Sequence, residues 1–280
     1  MSRRRSLPGT PAASMAALAL VVLGALSMAA PLYFMLVFAT HRRSAIFAAP
    51  PPVFFGSHLA ANLHILLAST DFWRNLGLSL YVACASSALT LLFCSMGGYA
   101  FARFEFAGKR VLFLLVLATL LVPQFMNMIP AFMVMDALRW IDRPRALYVP
   151  GAASAFGILL MRQYIESAVS AELISAARLD GCGEWSIYWR IVLPLAAPAL
   201  ATLGLISFIA SWNNFLMPLI VMRSPSMYTL PLALRSLQNP VDTHWGALMV
   251  GAAIATLPLL VVFALFSRRL VDGLTQGALK

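Results

Sequence analysis

Charged residues are scarce in this sequence. Asp, Glu, Lys and Arg make up 11% of the 280 residues, and apolar side chains make up 61%. An average soluble domain has about a quarter charged and about half apolar residues, so we exclude a soluble protein and predict that most of the chain lies in a membrane. The net charge of +10 does not indicate nucleic-acid binding, because the basic residues lie between apolar runs, where they orient a chain in lipid.

Cysteine is also rare, and the common catalytic and metal-binding motifs are absent. Cys84, Cys94 and Cys182 have no metal-ligand spacing, and we interpret them as small core residues without a disulfide. The four histidines are scattered over predicted outer loops. No phosphate-binding loop of the form GxxxxGKS or GxxxxGKT occurs, and no HExxH, GxSxG or paired CxxC. We therefore predict that this chain has no catalytic residue, no metal and no cofactor.

Long apolar runs take the place of these motifs. A run of about 20 apolar residues crosses a hydrocarbon core about 30 Å thick. We predict an all-α membrane protein whose transmembrane domain covers residues 15–267. Its six predicted spans are residues 15–39, 72–101, 111–135, 146–164, 196–222 and 245–266. The first run is too long for the apolar part of a signal peptide, which has about 7 to 15 residues.

Proline and glycine refine these predictions. Pro123 and Pro130 predict a kinked third span, because proline removes a backbone donor. Gly151 and Gly157 are small enough to let the fourth span approach a neighbour closely. Residues 40–72 are predicted to form a loop outside the bilayer, with an extended proline tract.

The distribution of basic residues predicts the orientation. With the N-terminus in the cytoplasm, the inner segments hold twelve of the 20 Lys and Arg residues and the outer segments hold eight. Short loops rich in Lys and Arg stay in the cytoplasm. We therefore predict a cytoplasmic N-terminal segment at residues 1–14 and a cytoplasmic tail at residues 268–280.

One polar stretch lies between the fourth and fifth predicted spans. Residues 171–194, AELISAARLDGCGEWSIYWRIVLP, predict two short helices with a glycine break between them. Ser170 has the hydroxyl of an N-cap, and Glu172 has the negative charge that a first helical turn favours. Gly181 and Gly183 then stop the first helix.

The second helix of this stretch is predicted from Glu184 to about Leu193. Its apolar face consists of Trp185, Tyr188, Trp189 and Val192. Pro194 marks the predicted end of the helix. Such an amphipathic helix lies in a membrane interface or against a partner.

The same stretch resembles a known motif. Ser175-Ala176-Ala177 and Gly181, followed after nine residues by Ile191-x-Leu193-Pro194, resemble the EAA motif in permease subunits of binding-protein-dependent ABC importers. Supporting matches lie in Tyr99–Arg103, Ser211–Phe215 and Gly273–Lys280. The chain is similar to the carbohydrate-uptake branch, in particular the six-span second permease of maltose-type and glycerol-phosphate-type importers.

The resemblance implies a fold and a division of labour. It implies the type I ABC importer permease fold, with a cytoplasmic coupling helix between spans 4 and 5, in the cell membrane of a bacterium or archaeon. The chain would form half of the translocation path for a sugar or related polyol and would not be an enzyme. ATP and Mg would bind a dimer of separate ATP-binding subunits. The other implied partners are a second permease in a heterodimer, an extracytoplasmic substrate-binding protein and membrane lipid, without nucleic acid.

The resemblance also assigns residues to the contact with the ATP-binding subunit. They are Glu172, Ser175, Ala176, Ala177, Arg178, Asp180, Gly181, Ile191, Leu193 and Pro194. The small members allow close docking, and Arg178 and Asp180 offer charge to a partner. The leading glutamate of the motif is Ser175 here, so a salt bridge from that position cannot form, and Glu172 is the expected substitute.

Four amides are candidates for the substrate path. Asn213, Asn214, Gln124 and Asn127 are uncharged hydrogen-bonding groups at predicted membrane depth, and sugar hydroxyls need such partners. The alternative is that they satisfy the backbone of kinked helices.

Two other classes of membrane protein stay open at this point. An autonomous channel or secondary carrier is disfavoured, because the interiors of the predicted spans hold no Asp, Glu, Lys or Arg. A membrane-embedded lipid-modifying enzyme would need a cluster of acidic residues or histidines, and the segment around Asp180 lacks one.

Overall fold

The computed structural model describes residues 11–238 and 243–277, and these residues form only helices and connecting segments. In chain order the described α-helices are α1 (Pro11–Ala39), α2 (Arg43–Ile46), α3 (Leu59–Ser69), α4 (Phe72–Arg103), α5 (Lys109–Ala118), α6 (Met128–Ala137), α7 (Arg145–Tyr148), α8 (Ala155–Ala168), α9 (Ala171–Leu179), α10 (Glu184–Ile187), α11 (Leu193–Leu195), α12 (Ala197–Trp212), α13 (Leu216–Val221), α14 (Leu230–Ser236) and α15 (Trp245–Gly277). Short 3-10 turns span Thr119–Leu121, Gln124–Asn127 and Pro225–Met227, and a π-helical turn spans Tyr188–Val192. The predicted all-α class is confirmed.

Three helices in the described ranges are long and apolar enough to cross a bilayer. They are Met15–Ala39, Phe72–Arg103 and Trp245–Leu265. Two bent pairs would raise this number to five: Lys109–Leu121 with Phe125–Ala137, and Glu184–Leu195 with Ala197–Trp212. Helix α8 has 14 residues, or about 21 Å, which is shorter than the hydrocarbon core. The count of six spans stays a prediction, and the predicted termini at residues 1–10 and 278–280 lie outside the described residues.

The kink predicted in the third span is confirmed. The chain bends by 96° between Leu121 and Phe125, where Val122 and Pro123 are both extended. A proline disfavours helical geometry in the residue before it, which explains why α5 does not continue. Pro130 does not bend α6, because it lies in the first turn, where backbone N–H groups have no partner within the helix.

Three predicted boundaries are wrong. The predicted loop at residues 40–72 contains α2 and α3, and the Asn62 amide of α3 donates to the carbonyls of Ala39 and His41 at the end of α1, at 2.8 and 3.0 Å. The predicted fourth span is divided, since the Ser154 hydroxyl accepts from the backbone N–H of Gly157 and starts α8 only at Ala155. The predicted fifth span breaks at residues 213–215, between α12 and α13.

Helix α4 is the longest element of the unit formed by residues 70–236 and 255–280, and it packs mainly against α8 and α12. It meets α8 closely because Gly98 has no side chain: a Cβ atom there would lie 2.5 Å from the Met161 Cβ atom and 2.8 Å from the Arg162 backbone nitrogen. Gly157 likewise allows a close approach between helices, as predicted, because its Cβ position lies next to the Cys94 sulfur of α4. Gly151 does not allow such an approach, since no atom lies within 4 Å of its Cβ position.

The N-terminal end of α4 is held by backbone carbonyls and amides. The Asn75 amide donates to the carbonyls of Pro225 and Tyr228, at 3.0 and 2.9 Å. The Ser79 hydroxyl accepts from the backbone N–H of Leu230 at 2.6 Å. The Asn75 side chain is only 1% exposed, and these hydrogen bonds fix the segment 225–230 against α4.

A partly buried aspartate, Asp142, fixes residues 223 and 224. The Asp142 carboxylate accepts hydrogen bonds from the backbone N–H groups of Arg223 and Ser224, both at 3.0 Å, and from the Ser224 hydroxyl at 2.5 Å. Partial burial raises the pKa of this carboxyl, but the three hydrogen bonds outweigh burial and leave the pKa below its ordinary value.

Candidate coupling site

The polar stretch begins as the sequence predicts. The Ser170 hydroxyl accepts from the backbone N–H of Leu173 at 3.2 Å and caps α9. Glu172 lies in the first turn, where hydrogen bonds from its own backbone N–H and from Ser170 lower the pKa of its carboxyl. The helix dipole stabilises the negative charge of Glu172 at the N-terminus of α9. The N-cap predicted at Ser170 is confirmed.

Helix α9 ends in a Schellman motif centred on Gly181. The backbone N–H of Gly181 donates to the carbonyl of Arg178, and that of Cys182 donates to the carbonyl of Ala177, both at 3.0 Å. Gly181 has φ +80°, the left-handed conformation that an L side chain strains. No atom lies within 4 Å of its Cβ position, so this corner is open.

An ion pair joins the two sides of the glycine break. The Arg178 Nε donates to Glu184 Oε1 at 2.6 Å, and the Tyr99 hydroxyl of α4 donates to Glu184 Oε2 at 2.9 Å. The Arg178 guanidinium also lies 5.9 Å from the centre of the Phe104 ring. Arg178 is thus paired within the chain, but both side chains of the pair are about two-fifths exposed, at 43% and 41%, so its charge toward a partner stays a prediction.

Three of the aromatic residues predicted for one face of the second helix contact one another: the Tyr188 ring centre lies 6.0 Å from that of Trp185 and 5.3 Å from that of Trp189. They differ in burial. Tyr188 and Val192 are buried within this chain, whereas Trp185 and Trp189 are 63% and 54% exposed. Residues Tyr188–Val192 form a π-helical turn, which the sequence did not predict. Pro194 does not end the helix: it lies at the start of α11, and the bend of 79° follows Leu195.

Side chains of α4 anchor the second helix and the end of α8. The hydroxyls of Ser95 and Tyr188 are 2.7 Å apart and hydrogen-bonded. The Arg103 guanidinium donates to the carbonyls of Ile165 and Glu166, at 3.1 and 3.2 Å, and also to that of Val169. A cation at these carbonyls stabilises the C-terminal end of α8.

The stretch thus has an inner and an outer face. The inner face packs on α4, α8 and α12 and contains Ile174, Ala177, Ile187, Tyr188 and Val192, with Ile191 and Leu193 partly buried beside them. We call the exposed residues the outer face; they are Ala171, Glu172, Leu173, Ser175, Ala176, Arg178, Leu179, Asp180, Gly181, Cys182, Gly183, Trp185, Trp189, Arg190 and Pro194. Ala177 was expected to contact a partner, but it is 7% exposed and packs inside this chain.

Sequence reasoning missed the contacts of Glu184 with Arg178 and Tyr99 and the contact of Tyr188 with Ser95. The expectation that Glu172 substitutes for Ser175 toward a partner stays a prediction. Two signals were present in the sequence. Arg178 and Glu184 carry opposite charges on either side of the glycine break, and Ser95 and Tyr99 are four residues apart, on one face of a helix.

The four amides do not form one cluster of contacts. The Asn213 amide donates to the carbonyl of Ile209 at 3.1 Å, and Asn214 Oδ1 accepts from the backbone N–H of Met217 at 3.4 Å. Both therefore satisfy the backbone where α12 and α13 separate. Asn127 is exposed, and the side chain of Gln124 lies outside the described residues. Within the described ranges, no group of three His, Cys, Asp or Glu side chains lies close enough to hold a metal ion.

Comparison with known proteins places these features in a family. Residues 94–276 match the family described as "Binding-protein-dependent transport system inner membrane component". The arabinooligosaccharides transport system permease protein of Halalkalibacterium halodurans is 36% identical over 218 residues, 78% of each chain. The lactose transport system permease protein of Rhizobium radiobacter is 35% identical over 248 residues, 87% of this chain and 88% of that protein.

Two further similarities cover nearly the whole chain. The sn-glycerol-3-phosphate transport system permease protein of Yersinia pestis is 33% identical over 266 residues, 92% of this chain and 94% of that protein. A chain in the crystal structure of a bacterial ABC transporter that imports the acidic polysaccharide alginate has a TM-score of 0.79 at 24% identity, over 94% of this chain and 99% of that chain. The second similarity shows that the two chains share a fold.

This chain belongs to the family of binding-protein-dependent transport system inner membrane components. It is a multi-pass membrane protein and a permease subunit of an ABC importer, and it is not itself an enzyme. The family implies that ATP-binding and substrate-binding partners work with it.

Proposed function

We propose that the outer face of residues 171–194 is the surface through which a separate ATP-binding subunit drives this permease. Large apolar side chains are exposed there in an otherwise polar stretch: Leu179 is 89% exposed, and two tryptophans flank it across the glycine break. Clustered exposed apolar groups are typical of a protein contact. Ser175, Ala176 and Gly181 between them are small enough for close approach.

The inner face supports the same proposal. A partner that moves the outer face also moves Glu184 and Tyr188, and these residues are hydrogen-bonded to Tyr99 and Ser95 of α4. Arg103 connects α4 to the end of α8. Displacement of the loop is therefore transmitted to two packed helices, which would change access to the translocation path.

The remaining parts of the proposal concern the assembly. We propose a heterodimer with a second permease, a dimer of ATP-binding subunits that holds ATP and Mg, and an extracytoplasmic substrate-binding protein. Both termini and residues 171–194 lie in the cytoplasm in this arrangement, and the chain crosses the membrane six times. The excess of Lys and Arg in the inner segments supports this orientation.

The proposed substrate is a sugar or a related polyol. The names of three relatives support this class, since they specify arabinooligosaccharides, lactose and sn-glycerol-3-phosphate. Asn213, Asn214, Gln124 and Asn127 are the proposed contacts in the path. We expect Asn213→Ala to raise the KM for uptake about fivefold, because one lost hydrogen bond costs about 1 kcal/mol of binding free energy. The maximal ATPase rate should not change. An unchanged KM in the Asn213→Ala, Asn214→Ala double variant would exclude both residues from the path.

The docking surface is tested by two variants at Gly181 in the reconstituted importer. Gly181→Trp should lower substrate-stimulated ATPase activity and uptake at least about tenfold, equivalent to about 1.4 kcal/mol, by obstructing docking. Gly181→Asn is the matched control, because asparagine tolerates the left-handed conformation and is small. Normal activity of the tryptophan variant, or equal loss in both variants, would contradict docking at this corner.

Native cysteines test the orientation. Cys182 is exposed in the loop, and Cys94 is buried. In a Cys84→Ser background, a membrane-impermeant maleimide should label Cys182 in inside-out vesicles and not in right-side-out vesicles. Bound ATP-binding subunit should slow this labelling. Labelling from the outer side would overturn the proposed function.

A further inference from the structure

A cavity of about 570 Å³ lies where α4 ends and α5 begins, next to α8. No residue of the stretch 171–194, with its inner and outer faces, lines this cavity. Its lining combines three cations, Lys109, Arg110 and Arg162, and one acid, Glu105, with three aromatic rings, Phe101, Phe106 and Phe113. Such a lining suits a ligand that has both a negative charge and an apolar part.

The cations differ in how they are already engaged. Lys109 pairs with Glu105 at 2.9 Å, and Arg162 pairs with Glu166 at 2.9 Å. Both pairs are between residues four apart on partly exposed surfaces, so each contributes little and its cation remains available to a stronger anion. Arg110 is exposed and has no ion pair within the described part of the chain. The one acid in the lining, Glu105, is paired with Lys109. A negatively charged ligand would therefore meet no unpaired carboxylate in this cavity.

Arg162 is held in place by the aromatic wall. Its guanidinium carbon lies 4.1 Å from the centre of the Phe113 ring, a cation–π distance. Phe113 also contacts Phe101, with ring centres 5.2 Å apart. The charge and the apolar wall are thus fixed relative to each other by contacts between α4, α5 and α8.

The apolar wall continues along α5. None of the ten residues of α5 is buried, and Val111, Leu112, Leu114 and Leu115 are all exposed. In a membrane protein this surface needs an apolar cover. The basic residues lie at one end of the helix, as they do where an apolar segment meets the headgroup layer.

We propose that this cavity binds an anionic phospholipid. Its phosphate lies between Arg110 and Arg162, and an acyl chain covers the exposed face of α5. A lipid fits because its charged headgroup is followed directly by apolar chains, just as the cations of the site are followed by the exposed leucines of α5. This inference depends on the chain being in a membrane and not on the proposed docking surface or substrate.

The test uses the assembled importer and native mass spectrometry. Dioleoylphosphatidylglycerol is titrated into the delipidated complex, and the most tightly bound lipid is followed. The Arg110→Gln, Arg162→Gln double variant should bind it about 30-fold more weakly, roughly fivefold for each basic residue lost. Arg223→Gln is the matched control. Its arginine is exposed next to the segment that holds the N-terminal end of α4, about 45 Å along the helix from the cavity.

Two further ligands distinguish the sources of a phosphate. Dioleoylphosphatidylcholine, which has no net charge, should bind equally weakly to wild type and double variant. sn-Glycerol 3-phosphate, which has the phosphate without acyl chains, should not compete with the lipid at tenfold excess. Competition by sn-glycerol 3-phosphate would instead indicate a soluble-anion site and overturn the lipid proposal. Equal lipid affinity in wild type and double variant, or an equal loss in Arg223→Gln, would also overturn it.

Discussion

The two ends of α4 are attached to the rest of their unit in different ways. At the N-terminal end, the buried amide of Asn75 and hydroxyl of Ser79 bond to backbone groups of residues 225–230. At the C-terminal end, Ser95 and Tyr99 bond to the side chains of Tyr188 and Glu184, and Arg103 donates to backbone carbonyls at the end of α8. The side chains of Asn75 and Ser79 in the first attachment are buried, whereas the Arg178–Glu184 pair beyond the second is partly exposed.

This difference indicates how one helix serves two purposes. A bond from a buried side chain to the backbone allows little movement, because breaking it leaves an unpaired carbonyl without water. A partly exposed ion pair can break and reform at little cost, since solvent replaces it. The C-terminal end of α4 is therefore the end that can respond to a moving loop, and the N-terminal end is the fixed one.

The largest expected effect is at the fixed end. Asn75→Ala removes two hydrogen bonds from a buried side chain. The Pro225 carbonyl still accepts from the backbone N–H of Tyr228, and the Tyr228 carbonyl loses its bond to Asn75. The free energy of unfolding should therefore fall by about 2 kcal/mol. Thermal unfolding of the purified complex measures this change. Leu80→Ala, on an exposed position of the same helix, is the control. Equal stability of the two variants would contradict the assignment of α4's N-terminal end as a fixed attachment.

A smaller effect is expected at the buried part of the responsive end. Tyr188→Phe removes the hydrogen bond to Ser95, which still donates to the carbonyl of Leu91. Stability should therefore fall by only about 1 kcal/mol. Tyr164→Phe is the matched control and should be neutral. A loss larger than that of Asn75→Ala would reverse the order of the two ends.

The ion pair should matter less for stability than for coupling. Glu184→Gln should lower the free energy of unfolding by at most about 1 kcal/mol, because the pair is partly exposed, and high salt should reduce the difference. It should lower uptake per ATP hydrolysed in proteoliposomes, since the link between loop and α4 weakens. Unchanged uptake per ATP would separate the ion pair from coupling.

The smallest effect concerns pH at the fixed end. The hydrogen bonds to Asp142 lower the pKa of its carboxyl, so their stabilisation is complete above the ordinary pKa of 3.8 and is lost only as pH falls through the lowered value. Between pH 8 and pH 5, the change in unfolding temperature should be the same for wild type and Asp142→Asn. Below about pH 4 the two should converge. Asp136→Asn is the control, and divergence above pH 5 would contradict this account.

Local features of the coupling loop could be predicted from the sequence. A serine before a helix and a glycine after it act within a few residues, so Ser170 and Gly181 have the predicted roles. Which residues of the second helix are buried was not predictable in this way. Tyr188 is buried because it packs on α4, where its hydroxyl meets Ser95, whereas the neighbouring Trp185 and Trp189 are exposed.

The sequence by itself determined that this chain is helical, belongs in lipid and carries a polar stretch with a capped helix, because composition and capping depend on each residue and its near neighbours. Only the tertiary structure decided that Tyr99 bonds to Glu184, that Ala177 faces inward, and that Lys109, Arg110 and Arg162 share one cavity. Those results depend on residues far apart in the sequence, such as Tyr99 and Glu184, which are 85 positions apart. Contacts at that separation are set by how whole helices pack, which no local pattern specifies.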